Sequence, residues 1–453
     1  MSWTASMKAQ RKGSRNSSSG EPMREGFGRR RSRFRDRECG GAVGSLVCGA
    51  AVLALGAVLL AGCAGHRVTD HPGEEEPYPL AEKPKADEIR HLPTGLAVSL
   101  EGAMEMISGA TLVCVGETHD NIHAHRVELA IIRELFRRFP GRVAIGMEMF
   151  RDPQQEVLDR WTRGELTELE FLKAVKWFDN WGFDFGYYRD ILAFAKENRI
   201  DVIALNPSKE LQKEVSRGGL DNVSAERRAM LPDIGPADPY QRAAMKAVYG
   251  SHLPSEGMFE SFFQVQMLWE ETMAQRVVDY LKSPRGAEKK MVTITGGWHV
   301  RYGFGLPKKV VRRMPMPYVI VQPTEIEIPE EKQDQIMEVD LPPLPLLPAD
   351  FAWYVPYEGL EGKRVRLGVL LSEREGRVVV RSVADGSPAA TAGVRPGDVF
   401  VSFDGQAVEE MTDVLYRVGK KEVGDSASLV LDRDGVETTA AITFFRFTEK
   451  KAH

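Results

Sequence analysis

Cysteine is scarce in this chain: four in 453 residues, at Cys39, Cys48, Cys63 and Cys114. The first three fall within one uncharged segment near the start, so a disulfide framework is excluded for the remainder. Cys114 sits in the apolar run 111–115, where burial makes a thiol inert; a catalytic cysteine is the lesser alternative. An excess of positive charge is also missing, with a net charge of −5 overall and 49 Lys/Arg against 61 Asp/Glu in residues 64–453. Such a surface repels a phosphate backbone and excludes nucleic-acid binding. Uncharged runs long enough to cross a bilayer are missing too, apart from residues 39–65, so a multi-span membrane protein is excluded. With 43% hydrophobic and 28% charged residues, so is a chain disordered throughout.

Positive charge collects at the start. Residues 1–63 carry eleven Lys/Arg against four Asp/Glu, and six arginines lie between Arg29 and Arg37. A basic stretch followed by an apolar one is the order of a secretory signal. The apolar run closes on Leu60-Ala61-Gly62-Cys63, which resembles a bacterial lipobox. That resemblance implies removal of residues 1–62 and lipidation of Cys63, giving a protein that meets the membrane through a lipid anchor. The alternative is an uncleaved span, for which the many Gly and Ala residues are poorly suited. Either way the rest of the chain is exported, because the arginines stay inside. Ala64 stands where an inner-membrane retention signal would place Asp; by resemblance to Gram-negative lipoproteins, the expected place is the outer membrane, facing the periplasm.

Two irregular stretches divide the chain after Gly62. Residues 63–90 are rich in Pro, Glu and Lys and read as a tether. Residues 326–349 include Leu341-Pro342-Pro343-Leu344-Pro345-Leu346-Leu347-Pro348, a proline density that excludes helix and central strand and predicts a stiff linker. Folded units are expected at 91–325 and 350–447. In the first, short β-branched runs at 112–115, 143–147, 202–205, 291–295 and 318–321 alternate with amphipathic stretches. That alternation predicts an α/β fold with a largely parallel sheet flanked by helices. The ligand site of such a sheet lies beyond the carboxyl ends of its strands.

Polar residues follow those ends. The first strand runs into Gly116-Glu117-Thr118-His119, the second into Glu148, the third into Asn206 and the fourth into Gly296-Gly297-Trp298-His299. Two imidazoles and two carboxylates gathered there can hold a divalent transition metal through His119 and His299, or serve as catalytic acid and base. Glu270 and Glu271 lie mid-helix, one of them a candidate for the cleft or both a solvated pair. His123 and His125, near a helix start, read as surface or capping residues. An aromatic stretch, residues 177–188, can wall a flat cofactor or simply pack the core.

The segments GETHDN, GMEMF, KWFDNWGFDFGYYRDIL, IALNPSKEL, VQMLWEETMA and GGWHVRYGFGLPKKVVRR occur in the order seen in the ChaN-like haem-binding uptake proteins of the Tiki/TraB superfamily, which residues 95–322 resemble. The resemblance implies a role in haem or iron uptake, with haem as cofactor. It implies an active centre at Glu117, His119, Glu148 and His299; Trp298 stands where many relatives have a smaller residue. Haem needs an apolar slot, an axial ligand and cations for its propionates. Candidate axial ligands are His119, His123, His252, His299, Tyr188 and Tyr302, and Arg151 and Arg301 are candidate propionate partners. No Cys-x-x-Cys-His motif is present, so attachment would be non-covalent. The alternative is a metal-dependent hydrolase, protease or esterase, using the same four residues.

Residues 350–447 resemble a PDZ domain of the bacterial envelope type. Leu367-Gly368-Val369-Leu370 matches the carboxylate-binding loop and following strand, Ser387-Pro388-Ala389-Ala390-Thr391-Ala392-Gly393 the short helix, and Pro396-Gly397-Asp398 the turn after it. The implied partners are C-terminal peptides of envelope proteins, added as an extra strand; a scaffolding role with an idle groove is the other option. A homodimer is a further option.

Overall fold

The computed structural model describes residues 67–69, 83–250, 253–333, 338–360 and 364–447. Cys63, the signal segment and His252 lie outside them. The main sheet has eight strands: β1 (Ile89–His91), β2 (Leu96–Val98), β3 (Leu112–Glu117), β4 (Val143–Arg151), β5 (Asp201–Asn206), β6 (Lys290–Gly296), β7 (Tyr318–Glu327) and β8 (Phe351–Pro356). Their order is β2-β1-β8-β7-β3-β6-β4-β5. The strands from β8 to β5 run parallel, and β1 and β2 add an antiparallel edge. The fold is therefore mixed α/β with a mostly parallel sheet.

Nine helices of two turns or nearly so accompany this sheet among the described residues: α1 (Leu100–Ile107), α2 (Ile122–Arg138), α3 (Gln155–Thr162), α4 (Glu168–Ala174), α5 (Arg189–Glu197), α6 (Lys209–Gly218), α7 (Pro239–Tyr249), α8 (Glu256–Lys282) and α9 (Leu306–Arg313). The strand period of two sorts side chains to two faces. Val113 and Val115 pack with Ile131, Leu135 and Ile191 of α2 and α5. Leu112 and Cys114 pack with Met273, Val277 and Val310 of α8 and α9. Burial on both faces is why the central strands read as unbroken apolar runs. Within α2, Asn121 caps the first turn by accepting from the His123 N–H at 3.0 Å. The buried positions 124, 125, 128, 131, 132 and 135 then recur at helical spacing along one stripe.

The segmentation differs from the sequence reading at three places. Residues 351–356, assigned to the second unit, form β8, pairing Phe351 with Val321 of β7 and with His91 of β1. The Asp350 carboxylate fixes this register by accepting from the Ile320 N–H at 2.7 Å. The tether holds two strands, because Ile89 is buried in the main core and Arg67–Thr69 pairs in parallel with Glu338–Asp340. The linker contributes that Glu338–Asp340 strand and a short helix, Glu330–Gln333.

Beyond residue 364 a separate antiparallel sheet forms from β9 (Val369–Arg374), β10 (Arg377–Val383), β11 (Val399–Phe403), β12 (Gln406–Ala407), β13 (Ser426–Arg433) and β14 (Val436–Thr443). Its order is β9-β10-β11-β13-β14, with β12 hairpinned onto β11. Helix α10 (Met411–Val418) packs along β9, leaving β9 as an edge strand. No helix among the described residues is long and apolar enough to cross a membrane.

Candidate functional site

The sheet register assembles the site. β3 and β6 are neighbours with Glu117 opposite Gly296, so the two Gly-x-x-His segments emerge side by side. Gly116 permits this approach, since a Cβ there would lie 2.7 Å from Val300 Cγ2 and from Gln322 Oε1. β4 flanks β6 on its other side, and the Gly296 N–H donates to Glu148 Oε2 at 2.7 Å. Asn206, ending β5, holds the Glu148 carbonyl through its Nδ2 at 2.6 Å.

A cavity of about 690 Å³ opens over these strand ends. Its polar wall carries Glu117, His119, Glu148, Asn206 and His299, all but closed off from bulk solvent. Its apolar wall comes from Phe178, Trp181, Phe183, Trp269 and Trp298, and Arg151, Lys209 and Arg301 reach it as cations. The His119 ring stands edge-on to Trp181, with centroids 5.0 Å apart, and 4.9 Å from Phe183. Arg301 lies over the Trp298 ring, and its Nε is buried with no hydrogen-bond partner among the described residues.

Each imidazole has a carboxylate. His119 Nδ1 lies 2.6 Å from Glu117 Oε1, which also accepts from the Tyr188 hydroxyl at 3.2 Å. Burial alone would raise the Glu117 pKa, but the His125 and His119 charges and hydrogen bonds outweigh it and hold the carboxyl well below its ordinary range. His299 Nε2 lies 3.5 Å from Glu148 Oε1, while its Nδ1 meets Gln266 at 2.9 Å and Glu270 at 3.4 Å. Burial disfavours the His299 cation, yet Glu148 and Glu270 push its pKa up to about 10. Burial likewise raises Glu270, but Lys309, donating at 2.7 Å, and His299 bring it down to about 2.

Several expectations need correction. Tyr188 does not line the cavity; it is buried behind Glu117, its hydroxyl committed to that carboxylate. Tyr302 does not line the cavity; it packs on Phe304 in the apolar cluster that also holds Phe262 and Trp298, which do. Neither glutamate of α8 enters the cleft: Glu270 supports His299 from behind, and Glu271 is held by Arg312 and Arg313. His123 pairs with Glu358 at the edge. His125 is 3% exposed, with Nδ1 at 2.8 Å from Glu117 and 3.0 Å from Glu128. Glu128 was missed altogether. The signal was present, since both residues occupy the apolar stripe of α2.

In the second sheet, Leu367 is core, Gly368 takes a φ of +80° against Ser387, Val369 opens β9 and Leu370 on its edge is 63% exposed. That leaves an edge strand facing α10.

Comparison with known proteins agrees with both halves. The family model for haem-binding uptake, Tiki superfamily, ChaN matches residues 103–310, and the PDZ model matches residues 365–444. The chain thus carries a ChaN-like domain of the Tiki superfamily followed by a PDZ domain. A solved structure described as cofacial heme binding to ChaN of Campylobacter jejuni is 15% identical, covers 60% of this chain and 97% of that one, and has a TM-score of 0.46. The serine protease Do-like HtrA of Bacillus subtilis is 32% identical over 99 residues, 21% of this chain and 21% of that protein. Its counterpart from Lactococcus lactis subsp. cremoris is 37% identical over 79 residues, 17% of this chain and 19% of that protein. This chain therefore spans about a fifth of those proteases, a likeness confined to the PDZ domain.

Proposed function

We propose that this protein is an envelope lipoprotein that binds haem non-covalently in the cavity over the sheet, serves haem or iron uptake, and recruits the C-terminal peptides of envelope proteins through its PDZ domain. One observation carries the reading: within a ChaN-like domain, a cavity of about 690 Å³ combines an aromatic wall, two imidazoles and three cations. Its size is in the range of about 300–1,000 Å³ typical of cofactor pockets. The residues fit the group. Trp181, Phe183 and Trp298 offer flat apolar surface, His119 and His299 are the imidazoles that line the space, and the unpaired Nε of Arg301 suits a propionate. Bound there, haem would supply an iron centre for carriage or exchange. The protein's own part is to orient the macrocycle, exclude water and neutralise its carboxylates.

Saturable haem binding by residues 64–453 tests this, read as a Soret shift at one stoichiometry. His119→Ala or His299→Ala should alter that band or weaken binding tenfold or more, and a linear, unsaturable titration overturns the proposal. The two imidazole–carboxylate pairs also suit hydrolysis, so peptidase and esterase assays run alongside. Turnover abolished by His299→Ala would move the reading to a hydrolase. Anchoring is supported by the basic and apolar order of residues 1–63 and by Cys63 after Gly62. Cys63→Ser should release the protein from the outer-membrane fraction; unchanged fractionation makes the apolar run the anchor.

A further inference from the structure

Behind the cavity wall, between the end of β3 and the first turns of α2, Glu117, His125 and Glu128 are all buried. One ligand atom from each lies within 4.8 Å of the others. His125 Nε2 is 3.1 Å from the His119 carbonyl. A carbonyl can only accept, so this contact fixes a proton on Nε2 and makes Nδ1 the nitrogen turned to the two carboxylates. Nδ1 faces Glu117 Oε2 at 2.8 Å and Glu128 Oε2 at 3.0 Å. Glu128 Oε1 is in addition buried without a hydrogen bond among the described residues. Two protons hold this cluster together: burial disfavours the His125 cation, but Glu117 and Glu128 push its pKa up to about 10, and burial and the Glu117 charge raise Glu128 to about 8.

We propose that Glu117, His125 and Glu128 bind one divalent transition-metal cation. An imidazole with two carboxylates suits zinc, manganese, cobalt or ferrous iron rather than calcium or magnesium. A dication that takes the place of the His125 Nδ1 proton and the Glu128 proton keeps the cluster neutral, as a buried site requires. Metal–ligand bonds of about 2.0–2.2 Å separate ligand atoms by roughly 3–4 Å, so the side chains need to spread only slightly. Entry is through the cavity, because Glu117 lines it with the same carboxylate that faces His125. The Tyr188 hydroxyl and the His119 carbonyl hold the ligands from outside. The site shares Glu117 with the cavity wall, whereas His125 and Glu128 do not line the cavity.

The test is calorimetric titration of the chelator-stripped full chain with ZnCl₂ and with MnCl₂, and the absorption spectrum with CoCl₂. One equivalent should bind with a Kd below about 10 μM, and cobalt should give the intense visible bands of a low-coordinate site. Glu128→Gln and His125→Ala should each weaken binding at least tenfold. His123→Ala, two residues away but paired with Glu358, should leave it unchanged. Binding no tighter than millimolar, or lost equally in His123→Ala, overturns the site. Should Glu128→Gln fail to fold, the cobalt spectrum of the unaltered chain decides, a hexa-aquo spectrum counting against the proposal. Haem titration of the same samples reads the cavity separately.

Discussion

Lys309 holds one half of the cavity wall together. The residue is 6% exposed, and its ammonium is the closest cation to Glu270, whose carboxylate in turn faces His299. Lys309→Met strands a buried charge, a change that costs about 3–5 kcal/mol; denaturant unfolding should show the loss. Lys308→Met, one residue away with its side chain 60% exposed, should cost about 0–1 kcal/mol. Equal losses would mean that Glu270 is satisfied without Lys309. Cys114 makes a simpler prediction: burial pushes its thiol up to about 12, so native residues 64–453 should not react with a thiol reagent at pH 8 until unfolded. Glu117, His119, Glu148 and His299 could be read from sequence because each follows an apolar run at a strand end, where backbone direction alone fixes the place of the side chain. His125 and Glu128 carry the same information in their helical spacing. A polar residue on an apolar stripe reads equally as a satisfied core group or a cap, and only the register of α2 against β3 separates these.

The helix α10 both walls the PDZ groove and joins the two domains. It packs on α4, where Lys173 Nζ lies 3.0 Å from Asp413 Oδ2, and Lys420 pairs with Glu168 at 2.9 Å. Arg364 binds the Gly419 carbonyl that follows α10 and, at 2.9 Å, the Asp184 carboxylate beside the cavity's aromatic wall. Asp413 has two duties, since the same carboxylate accepts from the Glu409 and Glu410 N–H groups and caps the helix. Burial would raise its pKa, but Lys173 and those N–H groups bring it below the ordinary 3.8. A depressed carboxyl contributes stability above the unfolded value and loses it as pH falls through the folded one. The docked arrangement should therefore hold at pH 5 and loosen below about pH 3.8, with the scattering radius rising as the domains part. Asp413→Ala should loosen it at neutral pH as well, removing a cap worth about 1 kcal/mol in addition to the ion pair. An unchanged radius in both experiments would show that apolar contacts such as those of Tyr416 suffice. None of this was legible in the sequence, because charge pairs hundreds of residues apart leave no local pattern.

At the scale of the whole molecule, the place where one domain stops decides what a truncation can test. The proline-rich stretch marked a boundary near residue 349, and the apolar run after it was a strand signal without an address, since strand period says nothing about which sheet it joins. The structure gives the address: β8 lies between β1 and β7, so the chain crosses its own linker to complete the first sheet. The residues just beyond it remain part of that domain. Tyr357 donates to Asp120 at 2.5 Å, the Glu358 carbonyl accepts from Ile122, and the Leu360 N–H donates to the Tyr187 hydroxyl at 2.7 Å. A chain ending at Gln322 loses β8 and the second half of β7, leaves the rest of β7 as an unpaired edge and strands β1 and β2, a recipe for aggregation. A chain ending at Leu360 keeps every strand of the main sheet. Residues 64–360 should accordingly express as soluble protein and, under the haem proposal, titrate with the same Soret change as residues 64–453, whereas residues 64–322 should precipitate or unfold non-cooperatively. The same pair tests recruitment. If the PDZ groove between β9 and α10 is the recruiter, residues 64–360 should fail to retain a peptide with a free C-terminal carboxylate that residues 64–453 hold, and amidating that peptide should abolish retention by the longer chain. Equal retention by both would place capture on the α/β domain instead.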